Sequence, residues 1–209
     1  MAIVRVARHG ETTWNVEGRY QGRMESSLSA RGVLQANALA HAVRDTATKR
    51  VICSPLQRTR VSASAAAALL NCEFEVDDRL IEIGHGTWEG RLRDELERND
   101  AARYRAWRDH PESVSFENGE SMLQVHERWE QFSRSFQDSA ETLIITHDAI
   151  VRVAILAGSS RPLSDFWKAR VTNGAYAQFW VEDGRWHLER ECVEAHLAGL
   201  QSDAQAQAL

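Results

Sequence analysis

The sequence of 209 residues is poor in cysteine and proline, with three of each. The cysteines, Cys53, Cys72 and Cys192, are odd in number and widely spaced, which fits neither a disulfide framework nor a zinc site. Reduced thiols in a cytoplasmic protein are the simpler interpretation. The sequence also shows no clustered histidines, cysteines and carboxylates at metal-ligand spacing. We therefore expect neither a metal ion nor any other cofactor.

Long apolar runs and strongly basic stretches are also missing. No run is long enough to cross a bilayer, and the first residues have no features of a signal peptide. No segment concentrates Lys and Arg without interspersed acids, and the formal net charge is -5. Nucleic acids and membrane surfaces are disfavoured as partners, because both bind contiguous positive charge. A few local arginines would have to hold an anionic substrate.

The pattern that is present predicts an α/β fold. Short β-branched runs, among them AIVRVA, RVICS and TLIIT, alternate with stretches of helical periodicity. One of these stretches, the alanine-rich segment after Pro55, is expected to form a helix with Val61, Ala65, Ala68 and Leu69 on its apolar face. Alternating strands and helices indicate a three-layer α/β/α sandwich with a mostly parallel central sheet.

The same pattern sets the expected domain organisation. We expect one domain over residues 1–200, with a small cap formed by residues 85–121, and a frayed polar tail at 201–209. Residues 175–192 are typical of a β-hairpin with a turn at Asp183 and Gly184. An exposed edge of that hairpin would allow two copies to pair as a homodimer.

Two histidines stand where predicted strands end: His9 follows AIVRVAR, and His147 follows TLIIT. In sheets of this type, ligands bind beyond the carboxyl ends of the strands. Arg8 precedes His9, and Arg58 lies early in a predicted helix, where the backbone amides also favour an anion. Glu82 lies in a glycine-containing loop, RLIEIGHGTWEG. Phosphoryl transfer to a histidine needs a neutral imidazole, fixed cations and one carboxylic acid, which these residues supply.

Four blocks of the sequence resemble the motifs of one family, the histidine phosphatase superfamily, also called the phosphoglycerate mutase-like family. The blocks are ARHGETTWN, CSPLQRTRVSA, RLIEIGHGTWEG and ITHDAIVRV, and they occur in the family's order. The stretch ENGESMLQVHER resembles the region between the last two. The resemblance extends from about residue 3 to residue 158, which is most of the chain.

The resemblance implies a metal-independent phosphatase that acts on a small phosphorylated metabolite, a phosphomonoester. His9 would be the phosphorylated nucleophile, and Glu82 the proton donor and subsequent base. Three residues would bind the phosphoryl oxygens: Arg8, Arg58 and His147. Five more are predicted to line the substrate pocket: Asn15, Gln21, Gly22, His85 and Tyr104. We expect the arginines to keep Glu82 ionised until a bound phosphate offsets their charge.

Two other functions stay open. A phosphoglycerate mutase would return the phosphoryl group to another oxygen of the leaving group, although the stretch between Glu82 and His147 is short for the mutases of this family. A catalytically silent phosphate-binding protein could share the fold. The family often has glycine after the second histidine, whereas this chain has Asp148. We expect Asp148 to cap the following helix; directed into the pocket, it would repel phosphate and select a cationic or hydroxyl-bearing substrate.

Overall fold

A six-stranded sheet forms the centre of the protein. The computed structural model describes residues 1–137, 140–202 and Gln207. The strands are β1 (Ala2–Arg8), β2 (Arg50–Cys53), β3 (Phe74–Val76), β4 (Thr142–Thr146), β5 (Tyr176–Glu182) and β6 (Arg185–Val193), and they lie in the order β3-β2-β4-β1-β5-β6. The first four run parallel, while β5 and β6 are antiparallel to their neighbours. The mostly parallel sheet predicted from the sequence is confirmed.

Helices cover both faces of this sheet. The described residues contain α1 (Thr13–Glu17), α2 (Ala30–Arg44), α3 (Gln57–Leu70), α4 (Arg93–Asn99), α5 (Ala101–Asp109), α6 (Met122–Ser135) and α7 (Asp148–Gly158). Successive strand residues point to opposite faces. Ala7 packs with α2 and α3 on one side, and Val4 and Val6 pack with α6 and α7 on the other. The result is the expected three-layer α/β/α sandwich.

Helix α3 buries a different face from the one that the sequence suggested. Val61 and Leu69 are 43% and 39% exposed, whereas Ala63 and Ala66 are fully buried. Small side chains let this helix pack closely against the sheet and against α2, so the bulkier residues are left on the outside. The apolar face predicted from the helical spacing of Val61 and Leu69 was therefore wrong.

The segment predicted to form a cap, residues 85–121, contains a short 3-10 helix (Gly86–Trp88), α4, α5 and a second 3-10 helix (Pro111–Ser113). Its large side chains Trp88, Trp107 and Phe116 are buried, and Phe116 contacts both tryptophans edge to face. The same cluster is continuous with the core beneath α6 and α7. The segment is thus held to the sandwich by its own aromatic packing.

The C-terminal part forms the predicted hairpin, with β6 at one edge of the sheet. Homodimer formation through that edge stays a prediction. Of the tail expected to fray, Ser202 accepts a hydrogen bond from Gln35, and Gln207 is buried; residues 203–206 and 208–209 lie outside the described residues. No helix in the described ranges has both the length and the apolar character needed to span a membrane.

Candidate active site

The register of two neighbouring parallel strands brings the two predicted histidines together. Arg8 at the end of β1 pairs with Thr146 at the end of β4. The next residue on each strand is a histidine, and the backbone N–H of His9 donates to the Thr146 carbonyl at 3.0 Å. The ring centroids of His9 and His147 are 5.2 Å apart. A spacing of more than 130 residues in sequence thus becomes ring-to-ring contact at the carboxyl edge of the sheet.

His9 is arranged as a nucleophile. Its Nδ1 lies 2.7 Å from the carbonyl oxygen of Gly10. Because a carbonyl only accepts hydrogen bonds, Nδ1 must carry the proton, which leaves a lone pair on Nε2. Burial, followed by the charges of Arg58 and Arg8, holds the pKa of His9 well below its usual value. The imidazole is therefore neutral at physiological pH, the form that can attack phosphorus.

Gly10 is required at this point by the approach of α2. A Cβ at this position would lie 2.2 Å from the carbonyl oxygen of Gly32, the third residue of α2. The two glycines let the loop after β1 pack directly on the helix. Glu11, which follows, serves the same junction: its carboxylate accepts from Ser29 at 2.7 Å and pairs with Arg31. The loop that carries His9 is thereby fixed to α2.

His147 is positioned by a serine that sequence reasoning missed. Its Nε2 lies 2.7 Å from Ser54 Oγ. Ser54 directly follows β2, and its backbone N–H donates to Ile145 of β4 at 3.1 Å. The serine belongs to the CSPLQR block, so the motif held a signal for it. Burial, then Arg58 and His9, lowers the pKa of His147 well below its usual value, so this ring is also neutral.

Two buried arginines supply the positive charge of the site. Arg58, in the first turn of α3, donates through Nη1 and Nη2 to the carbonyls of Met24 and Gly22 at 2.9 and 2.7 Å. Arg8 donates through Nη2 to Gln207 Oε1 at 2.8 Å, and its Nη1 lies 3.3 Å from Asp148. Burial lowers the pKa of Arg58 to about 10, so the guanidinium keeps its charge at neutral pH.

Several donors around His9 are buried without a hydrogen-bond acceptor in the described part of the chain. They are Nε of Arg8, Nε of Arg58 and Nη1 of Arg8, whose contact with Asp148 is an ion pair without hydrogen-bond geometry. Nδ1 of His147 also has no partner among the described residues, and it is a donor in the tautomer in which Nε2 accepts from the Ser54 hydroxyl. An unsatisfied buried donor costs free energy, and each is expected to have a partner in the working protein. Arg8 and Arg58 line the same pocket as His9, and unpaired charged donors beside a neutral imidazole suit an oxyanion such as a phosphoryl group.

Glu82 lies on a loop that two arginines hold in place, Arg128 and, through the Glu82 carbonyl and Glu120, Arg23. Arg128 of α6 donates to the backbone carbonyls of Arg79 and Glu82 at 2.7 and 3.3 Å, and it pairs with Glu120 at 3.0 Å. Glu120 in turn accepts from the backbone of Gly84 at 3.1 Å. Glu120 and Arg128 both belong to the stretch ENGESMLQVHER, so this stretch fixes the loop that carries Glu82.

Even without a bound anion, the Glu82 carboxyl is a weaker acid than an ordinary glutamate. Burial, then the negative charge of Asp148, raises its pKa to about 7, against the opposite effects of the Ile83 amide, Arg58 and Arg8. We expected the arginines to dominate until a phosphate was bound. That expectation was wrong, because desolvation and an acidic neighbour outweigh them.

The other predicted site residues divide into two groups. Gln21, Gly22 and His85 line the same pocket as His9 and Glu82. Asn15 and Tyr104 do not: Asn15 closes a capping box on Thr12 at the start of α1, and Tyr104 packs near Trp88 with ring centroids 6.3 Å apart.

Asp148 does not cap α7 through its side chain. It is the first residue of that helix, its carboxylate is bound by Arg152 at 2.6 Å, and it lines the pocket. The expected cap was wrong because two arginines compete for the carboxylate, and a charge-assisted bond is the stronger one. Other residues of the site had no signal in the sequence: Trp107, Phe166, Trp167, Asn173 and Gln207.

The three cysteines are free thiols. Within the described ranges, no group of three or more His, Cys, Asp or Glu side chains could hold a metal ion. The fixed positive charge that faces the pocket comes from Arg8 and Arg58.

Comparison with known proteins agrees with this geometry. Residues 4–193 match the histidine phosphatase superfamily (branch 1). The chain is 33% identical over 205 residues to phosphoserine phosphatase 1 of Hydrogenobacter thermophilus, covering 92% of this chain and 97% of that one. It is 31% identical over 182 residues to the adenosylcobalamin/alpha-ribazole phosphatase of Salmonella typhimurium, covering 86% and 90%. The solved structure of Bacillus stearothermophilus YhfR matches with a TM-score of 0.89 and 27% identity, covering 94% and 100%.

Proposed function

Since the chain belongs to the histidine phosphatase superfamily, branch 1, we propose that it hydrolyses a small phosphomonoester with His9 as the phosphorylated nucleophile and Glu82 as general acid and base. Membership and the related phosphatases make it a phosphatase that works through a phosphohistidine. The observation that carries the assignment of residues is the set of acceptor-less donors gathered around the neutral imidazole of His9.

In the first step, Nε2 of His9 attacks phosphorus and the bond to the leaving oxygen breaks. The phosphoryl oxygens accept hydrogen bonds from the unpartnered nitrogens of Arg8, Arg58 and His147. These donors are fixed before the reaction, so little reorganisation opposes the build-up of charge. Glu82 gives its proton to the leaving oxygen, which departs as an alcohol.

In the second step, water replaces the leaving group. Glu82, now ionised, removes a proton from that water as its oxygen attacks phosphorus, and the bond to His9 breaks. Inorganic phosphate leaves, and Glu82 is again protonated. A pKa of about 7 suits both duties, because neither protonation state is costly near neutral pH.

The arginines provide the charge compensation, so we propose that no metal ion takes part and that the enzyme is a histidine acid-type phosphomonoesterase.

The free thiols support a cytoplasmic location. We also propose that residues 85–121 act as a cap within one domain of residues 1–200, since Trp107 of that segment lines the pocket.

The test is to incubate the protein with a panel of small phosphomonoesters and to follow both free phosphate and positional isomers of each ester. A radiolabelled substrate should leave an acid-labile, alkali-stable phosphoenzyme, as expected of phosphohistidine. His9→Ala should abolish both label and turnover, while His41→Ala, at an exposed position on α2, should change neither.

Phosphate release without isomers supports the phosphatase. Isomerisation without release would replace it with the mutase. Phosphate binding with no label and no turnover would replace it with the silent binding protein.

A further inference from the structure

The wall of the pocket beyond the phosphoryl group has an unusual charge. Its charged side chains, among the described residues, are Arg8, Arg58, Glu82 and Asp148. The two arginines face the phosphoryl group and Glu82 is the acid, which leaves Asp148 as the charge that faces the leaving group. The rest of the wall is neutral: Gln21, Gly22, Ile83, His85, Trp107, Ala149, Phe166 and Trp167.

Asp148 is locked in this position. Arg152, one turn later on α7, donates to its two oxygens at 2.6 and 3.4 Å. The third nitrogen of that guanidinium, Nη1, donates to the carbonyls of Phe166 and Ala169. The guanidinium also lies over the ring of Trp167 at 5.1 Å. The donors of Arg152 are thus committed to the protein, and its charge is used to hold Asp148.

The two phosphate-binding arginines have little left to offer a second anion. Arg58 spends Nη1 and Nη2 on backbone carbonyls, and Arg8 spends Nη2 on Gln207. The donors that remain, Nε of both arginines and Nη1 of Arg8, are those assigned above to the phosphoryl oxygens. A carboxylate on the substrate would therefore lie near the Asp148 carboxylate, and the two arginines that pair with Asp148 are already engaged, Arg152 with Asp148 and backbone carbonyls and Arg8 with Asp148 and Gln207. Like charges at such distances repel, and a buried setting strengthens the repulsion.

A hydrogen-bond donor in the same place would be favoured. Each carboxylate oxygen can accept about two hydrogen bonds. Oδ1 of Asp148 already faces Arg152 and Arg8, whereas Oδ2 accepts from Arg152 alone and can take one donor more. An ammonium group would also gain from the aromatic faces of Trp107, Phe166 and Trp167. The neutral ring of His85, whose two nitrogens are buried without a hydrogen-bond partner in the described residues, adds a second polar contact for a hydroxyl.

On the basis of the proposed function, we propose that Asp148 selects the substrate: the leaving group carries an ammonium or hydroxyl group within reach of Asp148 and carries no carboxylate. The substrate class is then the monophosphate of an amino alcohol or polyol. Esters of hydroxy acids, which place a carboxylate beside the phosphate, are excluded.

Two matched pairs of substrates test this, since the members of each differ by one carboxylate. Phosphoethanolamine is compared with phosphoserine, and glycerol 3-phosphate with 3-phosphoglycerate. For the wild-type protein, kcat/KM should favour the first member of each pair by about tenfold or more. Asp148→Asn should reduce this ratio towards one, mainly through KM. Asp109→Asn, at an exposed position on α5, should leave the ratio unchanged.

Ratios within one enzyme are used because a general loss of activity cancels in them. Hydrolysis of p-nitrophenyl phosphate, whose leaving group has no carboxylate, reports the proposed function separately through its dependence on His9. If that hydrolysis is present and the wild-type ratios are near one or favour the carboxylates, the role of Asp148 is refuted while the phosphatase stands. If Asp148→Asn keeps the wild-type ratios, the role of Asp148 is likewise refuted. If no hydrolysis depends on His9, the proposed function fails and the substrate class fails with it.

Discussion

Replacing Glu82 by Gln tests two consequences of one buried carboxyl, its effect on the rate of catalysis and its effect on the stability of the fold. Glutamine keeps the shape of the side chain and an oxygen that can accept from the backbone of Ile83, as Glu82 does at 2.8 Å. It cannot give or take a proton. The change therefore removes the acid and base while leaving the loop held by Arg128 intact.

The kinetic cost depends on the leaving group. For an alkyl phosphate, the loss of general acid catalysis should lower kcat by roughly 100- to 10,000-fold. For p-nitrophenyl phosphate, whose leaving group departs without a proton, the first step should be much less affected. The second step still lacks its base, so we expect a burst of nitrophenol followed by slow turnover, with phosphoenzyme accumulating.

The pH dependence follows from the raised pKa of Glu82, about 7 instead of 4.5. In the wild-type protein, kcat/KM for an alkyl phosphate should fall about tenfold per pH unit above this value, as the acid ionises. For Glu82→Gln, kcat/KM should not show this fall at high pH.

Above neutral pH, Glu82→Gln should lower the activity of the protein but raise its thermal stability relative to the wild type. The folded protein holds the Glu82 proton more tightly than the unfolded chain does, so its contribution is fully present below pH 4.5 and is lost as the pH rises through about 7. At about 1.4 kcal/mol per pKa unit, the loss is about 3 kcal/mol. A domain of this size shifts its Tm by about 2–4 °C per kcal/mol. Glu82→Gln should thus melt roughly 6–12 °C higher than the wild type at pH 8, relative to their difference at pH 4.5.

The assays are thermal melts between pH 4.5 and 8 and stopped-flow kinetics with both esters. Glu97→Gln, at an exposed position on α4, is the control and should match the wild type in both. If the Tm difference between Glu82→Gln and the wild type does not vary with pH, Glu82 does not have the raised pKa. If the variant hydrolyses an alkyl phosphate with the pH profile of the wild type, Glu82 is not the acid.

Three further substitutions test how the site is held. Ser54→Ala removes the contact with the second histidine and should lower kcat about fivefold and the Tm by about 2–4 °C, since a hydrogen bond contributes about 1 kcal/mol; an unchanged kcat would contradict this. Gly10→Ala places a Cβ 2.2 Å from a backbone carbonyl, so its Tm should drop by several degrees, whereas a Tm equal to that of wild type would show that the loop can move. Gln207→Ala releases a donor of the phosphate-binding arginine and should tighten inhibition by inorganic phosphate about fivefold; weaker inhibition would mean that Gln207 assists binding instead.

Much of the arrangement of the candidate site could be predicted, because it follows from local features of the sequence. His9 and His147 each follow a short β-branched run, and strands β1 and β4 end where those runs end. Arg58 follows Pro55 at the start of a helix for the same local reason. Since parallel strands meet at one edge of the sheet, placing these residues at strand ends was enough to expect them together.

The environment of those residues needed the tertiary structure. The pKa of Glu82 depends on its burial and on the distance to Asp148, and neither can be obtained from the spacing of 66 residues between them. The role of Asp148 itself was misjudged, because helical position suggests a cap while Arg8 and Arg152 decide its orientation.

The sequence by itself determined the fold class, the family and the placement of His9 and His147 at strand ends, because hydrophobic periodicity and contiguous motifs are properties of short segments. Only the tertiary structure decided which remote residues complete the pocket. Trp107, Phe166 and Trp167 reach it from two separate segments, and Gln207 returns from the far end of the chain to bind Arg8. Such contacts depend on how distant elements pack against one another. The packing energy is distributed over the whole core, so no single segment of the sequence predicts them.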